Sequence, residues 1–295
     1  MLTLKTSDLS PMQLQNYLQY AIAPRPICFA STIDAEGNIN LSPFSFFNMF
    51  STNPPICIFS PARRVRDNTT KHSLENVLQV KECVINIVDY SMVQQMSLAS
   101  TEYAKGVNEF EKAGFTMLPS QLVTPPRVAE APVQLECVVN QVIPLGTAHG
   151  AGNLVLAEIK LIHIKEEILD AEGKIDQAKI DLVARLGGDW YSRVTAESLF
   201  KVAKPLTTLG IGVDVLPVSV VKSKVLTGND LGRLGNVEQL PNANEIDDMR
   251  NHALVKDILD ATIGDETTRE RELHQLAQLF LANGNVVDAL KIVLI

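Results

Sequence analysis

Apolar residues between positions 27 and 164 come in strand-length runs, and those after about position 245 recur at helical spacing. Val133, Leu135, Cys137 and Val139 alternate with Gln134, Glu136 and Asn140, and Leu154 to Ile164 carries Glu158 and Lys160 between apolar neighbours. Both stretches predict half-buried strands. Ile27 to Ile33 and Ile39 to Leu41 flank Asp34-Ala35-Glu36-Gly37-Asn38, a turn signal that predicts a hairpin. Pro55 to Phe59 predicts a short buried strand and Cys83 to Val88 a central one. Ser10-Pro11-Met12-Gln13 reads as a capping box with proline at the first helical position. It predicts a helix ending before Pro24, with Leu14, Tyr17 and Leu18 on its apolar face. Ser73 reads as the cap of a helix through Val80. Met92 to Ala99 predicts a helix, and Val107 to Ala113 a short one stopped by Gly114. Pro119, Pro125, Pro126 and Pro132 predict an extended loop over 115–132.

The pattern changes near residue 201. Asp247 to Ile263 and Arg269 to Ala282 predict amphipathic helices, and Asn285 reads as the N-cap of a last one over Val286 to Ile295. Strands at hairpin-like spacing with few intervening helices favour an antiparallel barrel over a doubly wound sheet. The expected fold class is mainly β (α+β). Residues 1–200 form the barrel, and 201–295 form a C-terminal extension, largely helical from about 245.

The formal net charge of −8 leaves a nucleic-acid role without an electrostatic footprint. It also makes the basic cluster Arg63, Arg64, Arg66 and Lys71 stand out. No apolar run is long enough to span a membrane, and the N-terminus lacks an apolar signal core. Cys28, Cys57, Cys83 and Cys137 each lie inside an apolar run and form no CxxC pair, which predicts buried, reduced thiols in a cytoplasmic protein. No spacing of His, Cys and Asp predicts a metal site. Gly210-Ile211-Gly212 lacks the rest of a dinucleotide fingerprint.

Candidate chemistry concentrates between residues 24 and 76. Asn40 to Asn48 holds three phenylalanines among hydroxyl and amide side chains. Phe44, Phe46 and Phe47 read either as core or as walls for a flat ring, and Ser45 and Asn48 as polar partners of its edge. Arg64, Asn68, Thr69, Thr70 and Lys71 follow as a set of donors suited to a phosphate, just ahead of a helix start whose free amides suit the same anion. Ser60 and Pro61 end the strand before them. A planar polar ring with a phosphate tail describes flavin mononucleotide (FMN). His149, in a glycine-rich loop, reads as an exposed loop residue or as a cofactor or nicotinamide contact. His163 and His274 read as structural.

Taken in order, Pro24-Arg25-Pro26, Ser31-Thr32-Ile33-Asp34, Asn40 to Asn48, Asn53-Pro54-Pro55, Arg63 to Ser73, Glu109 to Gly114 and Arg185-Leu186-Gly187-Gly188-Asp189-Trp190-Tyr191 resemble the flavin reductase-like family. The resemblance covers roughly residues 10 to 200. It implies an FMN-binding split β-barrel, a homodimer, and cofactor contacts that extend to Thr32, Ser73, Arg185 and Tyr191. It implies NAD(P)H-dependent flavin reduction, with NADH or NADPH as donor. The alternatives are an FMN electron carrier serving a redox partner protein, as in flavoredoxins, and a non-catalytic flavin-binding module whose helical tail recruits a partner. One departure is His72. Related sequences carry an acidic residue there, so a histidine facing the phosphate would add positive charge near pH 6.5.

Overall fold

The computed structural model describes all 295 residues. The chain divides into two compact units, Met1–Phe200 and Lys201–Ile295.

In the first unit, helix α1 (Pro11–Ala21) precedes strands β1 (Arg25–Pro26), β2 (Cys28–Ile33), β3 (Ile39–Phe44), β4 (Phe47–Thr52) and β5 (Pro55–Phe59). Helix α2 (His72–Gln79), strand β6 (Glu82–Ile87), and helices α3 (Val93–Ala99) and α4 (Glu109–Ala113) follow. Then come β7 (Met117–Leu118), β8 (Arg127–Val128), β9 (Val133–Pro144), β10 (Asn153–Ile164), β11 (Val183–Arg185) and β12 (Tyr191–Arg193). Seven strands make one antiparallel sheet in the order β3-β2-β6-β9-β10-β5-β4.

The sheet rolls up on itself. Phe44 on the β3 edge and Phe59 on β5, next to the opposite edge, bring their rings to 5.1 Å, centre to centre. The two edge strands are joined through Ser45 and Phe46 but do not pair, so the barrel is split between them. Alternation along β2 explains how all six of its residues are buried. Cys28 and Ala30 face the barrel interior, with Cys57, Cys83 and Cys137, while Phe29 faces an outer core closed by Met92, Met96 and Phe110. Leu74 and Val77 of α2 pack against the interior cluster. The open edge of β3 is managed by a side chain: buried Glu109 accepts the Leu41 amide at 2.9 Å. Burial raises the pKa of that carboxyl above its ordinary value.

The capping box of α1 forms as expected, with Ser10 and Gln13 exchanging backbone and side-chain bonds at 3.0 and 3.3 Å. Gly114 ends α4 in the left-handed conformation, φ +71°. Four expectations need correction. Ser73 does not cap α2. Lys71 holds the N-cap position, and Ser73 is buried in the first turn, where its hydroxyl accepts from Asn40 Nδ2 at 2.9 Å. Residues 115–132 are not a continuous extended loop, because β7 and β8 pair within it. Buried Glu136 pins this segment by accepting the Gln121 and Leu122 amides at 2.8 and 2.6 Å and His163 Nε2 at 2.8 Å. Strand β4 was not predicted, because most of its positions are exposed and carry no core-facing alternation.

The fourth correction concerns the second unit, which becomes helical earlier than residue 245. It holds α5 (Val218–Val221), α6 (Gly228–Leu234), α7 (Ala243–Arg250), α8 (Ala253–Ala261), α9 (Glu266–Ala282) and α10 (Val286–Val293). The stretch 247–263, expected as one helix, breaks at Asn251-His252. Asn285 occupies the N-cap position of α10 without a capping side-chain bond. The unit has its own apolar core, including Leu234, Val255, Ala277, Leu281 and Ile292. His274 is buried within it, its Nδ1 2.8 Å from Ser223 Oγ. No helix is long and apolar enough to cross a membrane.

Candidate functional site

A cavity of about 880 Å³ in the first unit is a cleft walled by α1, by Phe46 between β3 and β4, and by two loops. Leu14 and Leu18 of α1, Ile22 just after it, and Phe46 give it an apolar side. No residue of α1 is buried, although several of its apolar side chains are large. The helix therefore serves as a wall and not as a core element.

The two loops, 62–65 after β5 and 145–151 between β9 and β10, are tied to each other. The Arg63 amide donates to Ala151 O at 2.8 Å, Asn68 Nδ2 donates to Thr147 O at 3.0 Å, and His149 Nδ1 lies 2.8 Å from Val65 O. A bond to that carbonyl requires the proton on Nδ1. Ser60 and Pro61 hold the base of the same junction, where Ser60 Oγ accepts the Asn153 amide at 3.2 Å and Pro61 O accepts Asn153 Nδ2 at 3.0 Å. The chain passes close enough here that a Cβ on Gly152 would lie 2.9 Å from Ser60 Oγ.

The basic segment folds into a self-bonded hook. Asn68 sits in the left-handed region, φ +60°, a conformation asparagine tolerates. Its side-chain oxygen and backbone carbonyl accept from Arg63 at 2.8 and 2.7 Å. Asp67 accepts the Thr69 amide and hydroxyl at 3.0 and 2.6 Å, and hydrogen bonds to Thr69 hold its carboxyl far below the ordinary range. Arg64 Nη1 donates to Thr69 Oγ1 and Thr70 O at 2.7 and 2.8 Å. Arg64 and Lys71 both line the cleft. The Lys71 ammonium lies 5.5 Å from the Phe44 ring centroid and forms no ion pair. Burial, and then the neighbouring Arg64 charge, lower its pKa below the usual lysine value. Both cations line the cleft, and an anion bound between them would relieve their repulsion.

Of the residues expected at the site, Phe46, Arg64, Lys71 and His149 line this cleft. Ser60, Pro61, Asn68, Thr69 and Thr70 shape its loops. Phe47 packs on the barrel core, Ser45 is half-buried, and Asn48 is exposed with its side chain bonded to the Met49 amide. Thr32 and Ser73 do not line the cleft. Both are fully buried in a polar network at the α2 end of the barrel, where Asn40 and Asn76 donate to Thr32 Oγ1. Arg185 and Tyr191 stack on each other at 4.5 Å and line a separate cavity of about 400 Å³ beside α3. His72 lines a small recess with Asp34, Asn38, Asn76 and Lys105, not the cleft. Sequence reasoning missed the α1 wall and the backbone of loop 145–151. The capping box announced the helix, but no sequence signal says that its apolar face stays open.

The comparisons agree with the fold. The sequence profile of the flavin reductase like domain matches residues 20–179. An uncharacterized protein of Aquifex aeolicus is 38% identical over 181 residues, 61% of this chain and 90% of the relative. The crystal structure of nitrilotriacetate monooxygenase component B from Bacillus cereus superposes with a TM-score of 0.63 at 27% identity, covering 68% of this chain and 98% of that one. The structure of 2-nitrobenzoate 2-nitroreductase from Pseudomonas fluorescens gives 0.62 at 26% identity, covering 72% and 100%. A split antiparallel barrel, a cleft with one apolar wall and one cationic end, and a profile match over more than half its length place this chain in the flavin reductase-like family.

Proposed function

We propose that the cleft binds FMN and that the protein is an NAD(P)H-dependent flavin reductase. The observation that carries this reading is that Arg64 and Lys71, a lysine without an ion pair, line the same cleft as the apolar side chains Leu14, Leu18, Ile22 and Phe46. Guanidinium and ammonium groups suit a phosphate dianion. Leu14, Leu18, Ile22 and Phe46 suit the faces and dimethylbenzene edge of the ring system, and they keep water from it. Bound flavin supplies the hydride and electron transfer, and the chain binds, orients and shields it. No side chain is required as general acid or base, which fits a cleft without a paired acid and base.

A homodimer belongs to this reading. Several large exposed apolar side chains lie on α1 and β4: Met12, Tyr17, Tyr20 and Ile22 on or beside the first, Met49 and Phe50 on the second. Such a surface suits a second copy of the chain. The decisive experiment is the visible spectrum of the protein titrated with FMN, followed by anaerobic addition of NADH or NADPH. Stoichiometric flavin binding and bleaching by either nucleotide are the expected results. Failure to bind FMN at micromolar concentration removes the proposal. Binding without bleaching by either nucleotide moves the protein to the electron-carrier class.

A further inference from the structure

We propose that Glu102 is the positioning residue for the phosphate end of the cleft, bracing Arg64 from behind so that one nitrogen, Nη2, stays free for the flavin phosphate. This rests on the FMN reading above. Glu102 follows α3, in a turn closed by the Thr101 amide to Leu98 O at 3.1 Å and the Tyr103 amide to Thr101 O at 2.9 Å. Its carboxylate spans two arginines. Oε1 accepts Arg64 Nε at 3.0 Å and Oε2 accepts Arg66 Nη2 at 2.9 Å. These contacts hold its pKa below the ordinary value, the bond from Arg66 first.

A guanidinium has five N–H donors. In Arg64, Nε is taken by Glu102, and Nη1 by Thr69 Oγ1 and Thr70 O. Only the two hydrogens of Nη2 have no partner within the protein. The Arg64 side chain is 20% exposed and lines the cleft, whereas Glu102 does not. The brace therefore acts from outside the site and fixes a long, flexible side chain before the ligand arrives. Preorganisation of this kind raises affinity by removing the entropic cost of ordering the arginine on binding. The carboxylate side of the ion pair is 51% exposed, so solvent screens it and the pair adds little to folding stability.

The full-length chain would be tested with Glu102→Ala and Glu102→Gln, measuring FMN and riboflavin affinity by flavin fluorescence quenching. Glu102→Ala should weaken FMN by about tenfold, the order expected for misplacing one charge-assisted bond. Riboflavin, which lacks the phosphate, should bind both variants like the parent. Glu102→Gln should hold FMN within about threefold of the parent, because its amide oxygen still accepts from Nε. Tighter FMN binding by Glu102→Ala would mean that the carboxylate competes with the phosphate, and would overturn the proposal. So would no change, or an equal loss for both flavins. A parent chain that binds neither flavin would instead sink the FMN reading and leave the brace without a ligand to serve.

Discussion

The ring of Tyr20 closes directly onto the backbone of Gly187, so that a Cβ placed there would lie 2.2 Å from the Tyr20 ring. This contact docks the end of α1 onto the loop between β11 and β12. Arg25 reinforces it, donating to Ile22 O at 2.6 Å and to Leu186 O at 2.8 Å. Since α1 is the apolar wall of the cleft, Gly187→Ala should displace that wall. The cost expected for overpacking is about 1–3 kcal/mol. FMN and riboflavin should lose affinity equally, because the wall faces the ring and not the phosphate. Tyr20→Ala added to Gly187→Ala should recover part of the loss, measurable as a coupling in a double-mutant cycle.

The opposite selectivity is expected at the cationic end. Lys71→Ala or Arg64→Ala should weaken FMN more than riboflavin. A hydrogen bond to a charged group is worth roughly 1.5–3 kcal/mol, or about ten- to a hundredfold in affinity. Calorimetric titration of the two flavins measures the difference, and an equal loss for both would move these residues away from the phosphate.

His72 gives a prediction of no effect. Its side chain lines the recess around Asp34 and Lys105. FMN affinity of the parent and of His72→Gln should therefore follow the same profile between pH 8 and 6. A profile that tightens only in the parent as pH falls would show that the imidazole reaches the phosphate after all.

His274 should make the second unit acid-sensitive. Ser223 Oγ already accepts the Val225 and Leu226 amides, both at 3.1 Å, so its own proton points to His274 Nδ1, which must be bare. Burial lowers the imidazole pKa below its usual value. The folded pKa is thus depressed relative to the unfolded one, about 6.5. Stability from the neutral ring is fully present above that pH and is lost as pH falls through the lower folded value. Thermal melts at pH 8 and 5.5 should show this loss, and His274→Asn, which cannot titrate, should show a smaller difference between the two.

The sequence carried most of the barrel because its signals are local. The alternation in β9 and β10, the turn at 34–38 and the cap at Ser10 each act over a few residues, and each appears in the fold. Strand β4 escaped because its mostly exposed residues carry no inward-outward contrast. The site was half legible. Arg64 and Lys71 announced themselves by charge, but a hydroxyl looks the same in sequence whether it faces ligand or helix. Thr32 and Ser73 are bonded to asparagines at the α2 end of the barrel. Glu102 reaches Arg64 across 38 positions, a distance over which periodicity says nothing.

All four cysteines, Cys28, Cys57, Cys83 and Cys137, line the barrel interior, and the chain from residue 201 onward has none. Burial pushes up the thiol pKa at Cys28 and Cys57, the latter to about 11, and suppresses the reactive thiolate. Alkylation by a maleimide is therefore a chemical clock for one half of the molecule. Label enters only when the barrel opens, while the helical unit can unfold and refold without leaving a mark. Barrel opening can thus be timed in the same intact chain, thiol by thiol, by mass spectrometry, without interference from the cysteine-free helical unit.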